Sequence, residues 1–301
     1  MMTSEEGHVV IEVHGIRVTV EIDGEAVRCS PLPGTDPYPV VGDRVVVTAP
    51  NQPNDPPTLD HVLPRRTVFA RLRQDNTRRT RDGAHEHVLA ANVDTAVVVA
   101  AVAKPPFHPR FIDRYMVLAQ RGGLDVAVAI NKCDLGVELP DLAAYHALGI
   151  QFVEVSAKTG AGLDQLRALI EGKTVIFTGH SGVGKSSLVN ALDDEAAAAV
   201  GEVGGKRGQG RHTTSRSSLY RLNDSTAIID TPGIRSLSMA GIPAEELGEL
   251  FPEVSERSDT CKFRNCTHDH EPGCGVQAAV AAGEIAQIRY ETYIRLLHEE
   301  G

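Results

Sequence analysis

At 301 residues with 42% hydrophobic content, the chain can bury several cores; this excludes a disordered polypeptide and predicts two or three domains. Forty acidic against thirty basic side chains give a net charge of −10, which argues against indiscriminate nucleic-acid binding. The longest apolar run, Thr95 to Ala103, is too short to span a bilayer, and the start "MMTSEEGHVV" has no basic stretch leading into an apolar one, so a cytoplasmic protein without membrane attachment is expected.

The first eighty residues read as β structure. Ile16, Val18, Val20 and Ile22 alternate with Arg17, Thr19 and Glu21, and Asp23-Gly24 signals a hairpin turn into "EAVRCS". A strand over Asp43 to Ala49 and an apolar segment over Leu59 to Leu63 follow, separated by Pro, Gly and Asn. Short strands at this density predict a small barrel, of OB or SH3-like type. Between His61 and Arg81 stand Arg65, Arg66, Arg71, Arg73, Arg78, Arg79 and Arg81 against Asp75 alone, a pattern that fits a solvated face, a loop or a nucleic-acid contact.

From Asn92 the rhythm changes to apolar runs alternating with helical segments: "TAVVVAAVA", "FIDRYMVLAQ", "LDVAVAIN", a helix near Leu139 to Leu148, "IQFVEVSA", "GLDQLRALIEG", "KTVIFTG", a helix from Lys185 and "STAIIDTPG". Such alternation predicts a mostly parallel sheet covered by helices. The tetra-alanine near Ala196 fits a helix end or a loop.

Within this region the first motif is "NKCD", Asn131 to Asp134, at the end of an apolar strand. A carboxylate at Asp134 can accept from both N1–H and the N2 amino group of guanine, whereas adenine would turn a lone pair toward it. An unpaired buried carboxylate costs enough for roughly 10³-fold discrimination or more. Asn131 would brace the neighbouring loops and Lys132 would lie along the base. "VSAKTG" supplies Ser156, Ala157 and Lys158, with the Ala157 N–H aimed at guanine O6.

Next comes "GHSGVGKSS", which fits G-x-x-x-x-G-K-[ST] between a strand and a helix. Gly179, His180, Ser181, Gly182, Val183 and Gly184 would form a phosphate cradle. Lys185 would reach the β and γ oxygens, and Ser186, followed by Ser187, would supply a magnesium ligand. Further on, "GRHTTS" carries Thr213 and Thr214 as magnesium-completing candidates and His212 as a candidate for orienting water. "AIIDTPG" places Asp230 where a carboxylate can hold the magnesium shell and Gly233 where an N–H can sense the γ-phosphate. The position after Gly233, where Ras-like enzymes use Gln, is Ile234. Three of the seven lysines of the chain, Lys132, Lys158 and Lys185, sit in these motifs.

The base-reading motifs thus precede the phosphate loop, the reverse of the usual order. Since ligands bind at the carboxyl edge of such a sheet whatever its connectivity, a circular permutation preserves the site. Past Leu250, Cys261, Cys266, His268 and Cys274 form C-x4-C-x-H-x5-C, a closed structural metal site of soft ligands, with His270 a rival fourth ligand by spacing. The pairs Ile285/Ile288 and Ile294/Leu297 predict a terminal amphipathic helix.

These motifs, with "VVGDRV", "VLPRR" and "IDRY", make the chain resemble the circularly permuted GTPases of the ribosome small-subunit-dependent GTPase A type (RsgA/YjeQ) over nearly its whole length. It departs from the family pattern in a short, non-basic N-terminal end. The resemblance implies a multidomain α/β chain: an N-terminal OB-fold barrel (1–82), a circularly permuted P-loop GTPase domain with a mostly parallel sheet (83–245) and a C-terminal helical zinc-binding domain (246–301), with His268 as the fourth zinc ligand. It implies a monomer that binds GTP and GDP with magnesium, engages the 30S subunit and its 16S rRNA, and couples hydrolysis to late subunit maturation and its own release. The competing expectation, favoured by Ile234, is a constitutive rRNA-binding scaffold that holds guanine nucleotide only as a structural ligand.

Overall fold

The computed structural model describes residues 7–50, 55–73, 85–199, 217–230 and 242–299. Strands β1 (His8–His14), β2 (Arg17–Ile22), β3 (Glu25–Pro31), β4 (Arg44–Thr48) and β5 (Thr58–Val62) pair in the order β1-β2-β3-β5-β4, and β4 returns to β1 to close a five-stranded OB-like barrel. The alternation of the sequence decides what fills it. Val10, Val18, Val20, Cys29, Val45 and Leu59 point inward and are buried, while Arg17, Arg28 and Arg44 face out. Asp23 (φ 52°) and Gly24 (φ 81°) both take the left-handed conformation that a two-residue hairpin turn requires.

The sequence does not announce β1, and its environment explains why. It pairs with β2, with β4 and, across the domain junction, with β12 (Ser217–Arg221), so that Val9, Val10 and Ile11 are all covered and no clean alternation remains.

After the barrel, β6 (Val68–Arg73) and β7 (His85–Ala91) form an antiparallel hairpin, so the start of the Arg-rich run is a strand and its approach rather than a loop. Arg65 is taken up within the protein, whereas Arg66 forms a surface ion pair and stays mostly exposed. The Arg65 guanidinium forks onto the fully buried Asp43, with both contacts at 2.8 Å, and Arg66 donates to Asp94 at 2.6 Å. Arg78, Arg79 and Arg81 lie outside the described residues.

The central sheet runs β10 (Gln151–Glu154), β9 (Asp125–Asn131), β8 (Thr95–Ala101), β11 (Thr174–Thr178), β13 (Ala227–Asp230), all parallel, and continues through antiparallel β12 into β1 of the barrel. Every residue of β8 is buried, as a central strand covered on both faces demands. Its two faces divide the core. Val97 and Val99 pack toward α3 (Leu163–Ile170) and α4 (Lys185–Ala199) through Leu166, Ile170, Leu188 and Leu192. Ala96 and Val98 belong to the opposite cluster, with Ile112, Met116 and Val117 of α1 (Arg110–Arg121). The tetra-alanine closes α4.

Two helices are shorter than the sequence suggests. The segment Leu139 to Leu148 yields only α2 (Ala143–His146), because Pro140 interrupts it. After α5 (Ala244–Glu249) and α6 (Pro252–Ser258), the C-terminal stretch divides into α7 (Gly275–Ala281) and α8 (Gln287–Leu297). Gly283 (φ 76°) lies at the break, which leaves Ile285 ahead of α8 rather than in it. Leu247, Phe251, Val254, Val276, Tyr293 and Leu296 of these helices join the same hydrophobic cluster as α1, so this module shares a core with one face of the central sheet. No helix among the described residues is long and apolar enough to cross a membrane.

Candidate nucleotide-binding site and metal centre

The parallel strands β8, β9, β10, β11 and β13 end at one edge, and the motifs of the sequence lie at the ends of four of them, β9, β10, β11 and β13. The loop after β11 runs from Gly179 to Gly184 and opens α4. Its glycines are dictated by backbone geometry: Gly179, Gly182 and Gly184 all have positive φ (142°, 82° and 98°). A Cβ on Gly179 would lie 2.2 Å from the Val99 oxygen, and one on Gly184 would lie 2.3 Å from Asn131 Nδ2. The Lys185 ammonium folds back over the loop and donates to the carbonyls of Gly179 (2.7 Å) and His180 (2.8 Å). Ser186 and Ser187 are exposed on the first turn of α4, while Val183 is buried and His180 stacks on Phe111 with ring centroids 4.6 Å apart.

Asn131, at the end of β9 and 2% exposed, joins three loops. Its Nδ2 donates to the Val183 carbonyl at 2.9 Å, and its Oδ1 accepts from Lys132 N at 2.8 Å and from Ala157 N at 3.1 Å. The Ala157 N–H, the group expected to meet guanine O6, donates here to the neighbouring carboxamide. Lys132 takes the left-handed conformation (φ 64°), which turns its ammonium onto the carbonyls of Gly182 (2.7 Å) and Lys104. The Ser156 hydroxyl donates to Asp134 Oδ1 at 2.8 Å, fixing one carboxylate oxygen, while the exposed Lys158 stands 3.9 Å from the other.

Asp230 ends β13, which pairs with β11 through Ile176 and Ile229, so its carboxylate lies one strand away from the phosphate loop and at the same edge. His212, Thr213, Thr214, Gly233 and Ile234 lie outside the described residues. The structure thus brings together Asn131, Lys132, Asp134, Ser156, Ala157, Lys158 and the loop from Gly179 to Ser187. Two contributors, Lys104 through its carbonyl and Phe111 through its ring, carry no motif that marks them.

The second site is local. Cys261, Cys266, His268 and Cys274 present ligand atoms that all lie within 4.8 Å of one another. His268 Nδ1 is 3.5 Å from Cys261 Sγ and 3.6 Å from Cys274 Sγ, and those two sulfurs are 3.9 Å apart. A tetrahedral site with metal–sulfur bonds of about 2.3 Å and metal–nitrogen bonds of about 2.0 Å has edges of roughly 3.8 Å and 3.6 Å. The four groups therefore fit a metal ion. His268 reaches its place through a left-handed backbone (φ 63°), and its carbonyl accepts from Tyr290 at 2.8 Å. His270 is exposed and turns to Asp269, outside the ligand group.

Burial lowers the His268 imidazole, which keeps it neutral as a ligand must be, and without a cation it pushes the Cys266 thiol up to about 12. Glu271, which no motif singles out, closes the ligand loop. It accepts from the Thr267 hydroxyl (2.6 Å) and from the N–H groups of Thr267 (2.8 Å), Asp269 and His270 (both 3.2 Å), and these bonds hold its carboxyl down at about 2.

Comparison with known proteins agrees with this geometry. The family model described as RsgA GTPase matches residues 62–240. A protein of Chlorobaculum tepidum named small ribosomal subunit biogenesis GTPase RsgA is 39% identical over 96% of both chains. One of the same name from Porphyromonas gingivalis is 37% identical over 91% of this chain and 87% of its own. Among solved structures, YjeQ from Thermotoga maritima superposes with a TM-score of 0.71 at 30% identity, covering 97% of each chain. YloQ, described as a circularly permuted GTPase, gives 0.70 at 28% identity over 98% of this chain and 94% of its own. With its phosphate loop downstream of its base-reading loops, and with relatives this similar over nearly their full length, the chain belongs to the RsgA GTPase family.

Proposed function

We propose that the protein is a GTPase of small ribosomal subunit biogenesis that binds the 30S particle and couples hydrolysis to late maturation and to its own release. The observation that carries the nucleotide part is Asn131, whose carboxamide hydrogen-bonds the phosphate loop, the "NKCD" loop and the "SAK" loop at once, as a site for one guanine nucleotide would require. In this reading Asp134 recognises the guanine edge, with Ser156 orienting it and Lys158 close by. The N–H groups between Gly179 and Gly184 cradle the phosphates, and Lys185 leaves its loop carbonyls for the phosphate oxygens.

Magnesium would be held by Ser186, Asp230 and Thr213 or Thr214, where it would neutralise charge developing on the phosphates. Gly233 would sense the γ-phosphate. Ile234 offers no hydrogen bond, so His212 is assigned to orient water. The Cys3His group would carry zinc, since three thiolates and an imidazole in a closed tetrahedron suit that ion, and a module this small would fold on it. The division into a barrel (1–82), a GTPase domain (83–245) and a zinc-binding domain (246–301), the monomeric state, a cytoplasmic location and contact with 16S rRNA belong to the same proposal. The pairing of Arg65 with the buried Asp43 moves any rRNA contact in the Arg-rich run beyond that residue.

GTP turnover by the full chain, titrated with purified 30S subunits, tests the proposal. The free protein should be slow, with its rate rising by about 10³-fold or more on the particle as ordering and transition-state charge are supplied. The stimulation should weaken with added salt. A rate indifferent to 30S subunits would sink the coupling.

A further inference from the structure

The helix α1 touches both the phosphate loop and the C-terminal module. At its start the Phe111 ring stacks on the His180 ring, with centroids 4.6 Å apart and planes 25° from parallel. His180 is the loop residue whose carbonyl accepts from Lys185, so the stack restrains a group that holds the phosphate lysine. An apolar cavity of about 160 Å³, lined by Pro105, Phe107 and His108 together with the Phe111 and His180 rings, opens beside the stack.

Two residues further along, Asp113 is fully buried and accepts from Arg289 of α8 at 2.6 Å, while the same guanidinium donates to Glu253 of α6 at 2.6 Å and lies 4.6 Å over the Phe251 ring. On the next position one terminal nitrogen of Arg114 donates to both carboxylate oxygens of Glu299 at 2.7 Å. The "IDRY" motif is thereby accounted for as the joint between α1 and the C-terminal helices. A planar fork shared between two carboxylates in a dry interface tolerates little displacement of either helix.

We infer that α1 is a strut through which the C-terminal module positions the phosphate loop: Arg289 fixes Asp113, and Phe111 on the same helix fixes His180. Phe111 and Arg289 are positioning residues for guanine-nucleotide binding, although neither lies in the nucleotide motifs. By reciprocity, a bound nucleotide tightens the seat of the C-terminal module to the same extent. This inference rests on the guanine-nucleotide reading of the loop.

Equilibrium titration of the full chain with a fluorescent GDP analogue tests it, with thermal melting followed in parallel. Phe111→Leu and His180→Ala should each weaken GDP binding by about 2- to 10-fold, the range of one aromatic pair. The two together should lose no more than either alone, and Phe111→Tyr, which keeps a ring, should bind within about 2-fold of wild type. Arg289→Lys retains the charge but cannot span both carboxylates, so it should weaken GDP in the same direction, and that effect should vanish in the Phe111→Leu background.

Because His180 is exposed, its substitution cannot act by unfolding the core. Unchanged GDP affinity in Phe111→Leu and His180→Ala, additive losses, or affinity that merely follows the melting temperature through every variant including Phe111→Tyr would overturn the strut. Wild-type protein that fails to bind GDP would instead overturn the nucleotide reading on which it stands.

Discussion

The two sites of this molecule are assembled on different scales. The metal ligands span 13 positions, from Cys261 to Cys274, and their loop is closed by a carboxylate from within it, Glu271. The nucleotide site is gathered from loops far apart in the chain: Asn131 bonds Val183 across 52 positions and Ala157 across 26. A local ligand set depends on a short loop and the ion that closes it. A dispersed one depends on the sheet that brings strand ends together, and permuting the chain leaves that edge intact. The metal site should therefore fail as a unit, and the nucleotide site contact by contact.

The largest expected effect is chemical. Lys185→Ala should abolish GTP hydrolysis while leaving the melting temperature nearly unchanged, because the side chain lies over a surface loop and removes no core contact. Phosphate release equal to wild type would show that the loop does not handle phosphate.

Next in size is loss of the metal unit. Cys261→Ser together with Cys274→Ser should lower bound zinc from one per chain to none and expose the amides of α6, α7 and α8 to hydrogen exchange. GDP affinity should fall only by the few-fold carried through α1, since every described nucleotide contact comes from earlier in the chain. Metal analysis finding no zinc in the native protein, or complete loss of GDP binding in the variant, would break the contrast.

The smallest effect concerns Glu271. Its carboxyl is held near 2 against an ordinary 4.5, so its contribution is present above the unfolded value and is lost as pH falls from about 4.5 toward 2. Glu271→Gln should accelerate exchange at the Thr267, Asp269 and His270 amides at neutral pH, and the difference from wild type should disappear on acidification. Equal protection at neutral pH would remove Glu271 from the loop closure.

What the sequence made legible follows the same division of scale. The placement of "GHSGVGKSS", "NKCD" and "SAKTG" at strand ends and the gathering of the Cys3His group could be read because each requirement is met within a few residues: glycines at positive φ, a carboxylate at a strand end, soft ligands at fixed spacing. The parallel sheet was visible in the apolar runs, β8 above all. What could not be read depends on partners distant in the chain. Strand β1 hides its periodicity because it serves the barrel and β12 together.

Arg65 and Arg66 look like part of a basic surface until Asp43 and Asp94 are seen beside them. Asp113 and Arg289 lie 176 positions apart, and neither has a neighbour that hints at the other. Spacing alone left His270 a rival to the His268 that the family pattern favours; the fold buries His268 against Tyr293 and leaves His270 in solvent.

Everything assigned to the sheet edge depends on the loops upstream of the phosphate loop reading guanine. The most direct measurement is the nucleotide preference of Asp134→Asn. An amide at that position can donate to the C2 oxygen of xanthine but cannot accept from the N1–H and N2 amino group of guanine. The Ser156 hydroxyl that orients the carboxylate would remain in place. GTP binding should weaken by roughly 10²-fold or more, and xanthosine triphosphate should become the preferred ligand. An unchanged preference for GTP in a folded Asp134→Asn protein would contradict the assignment.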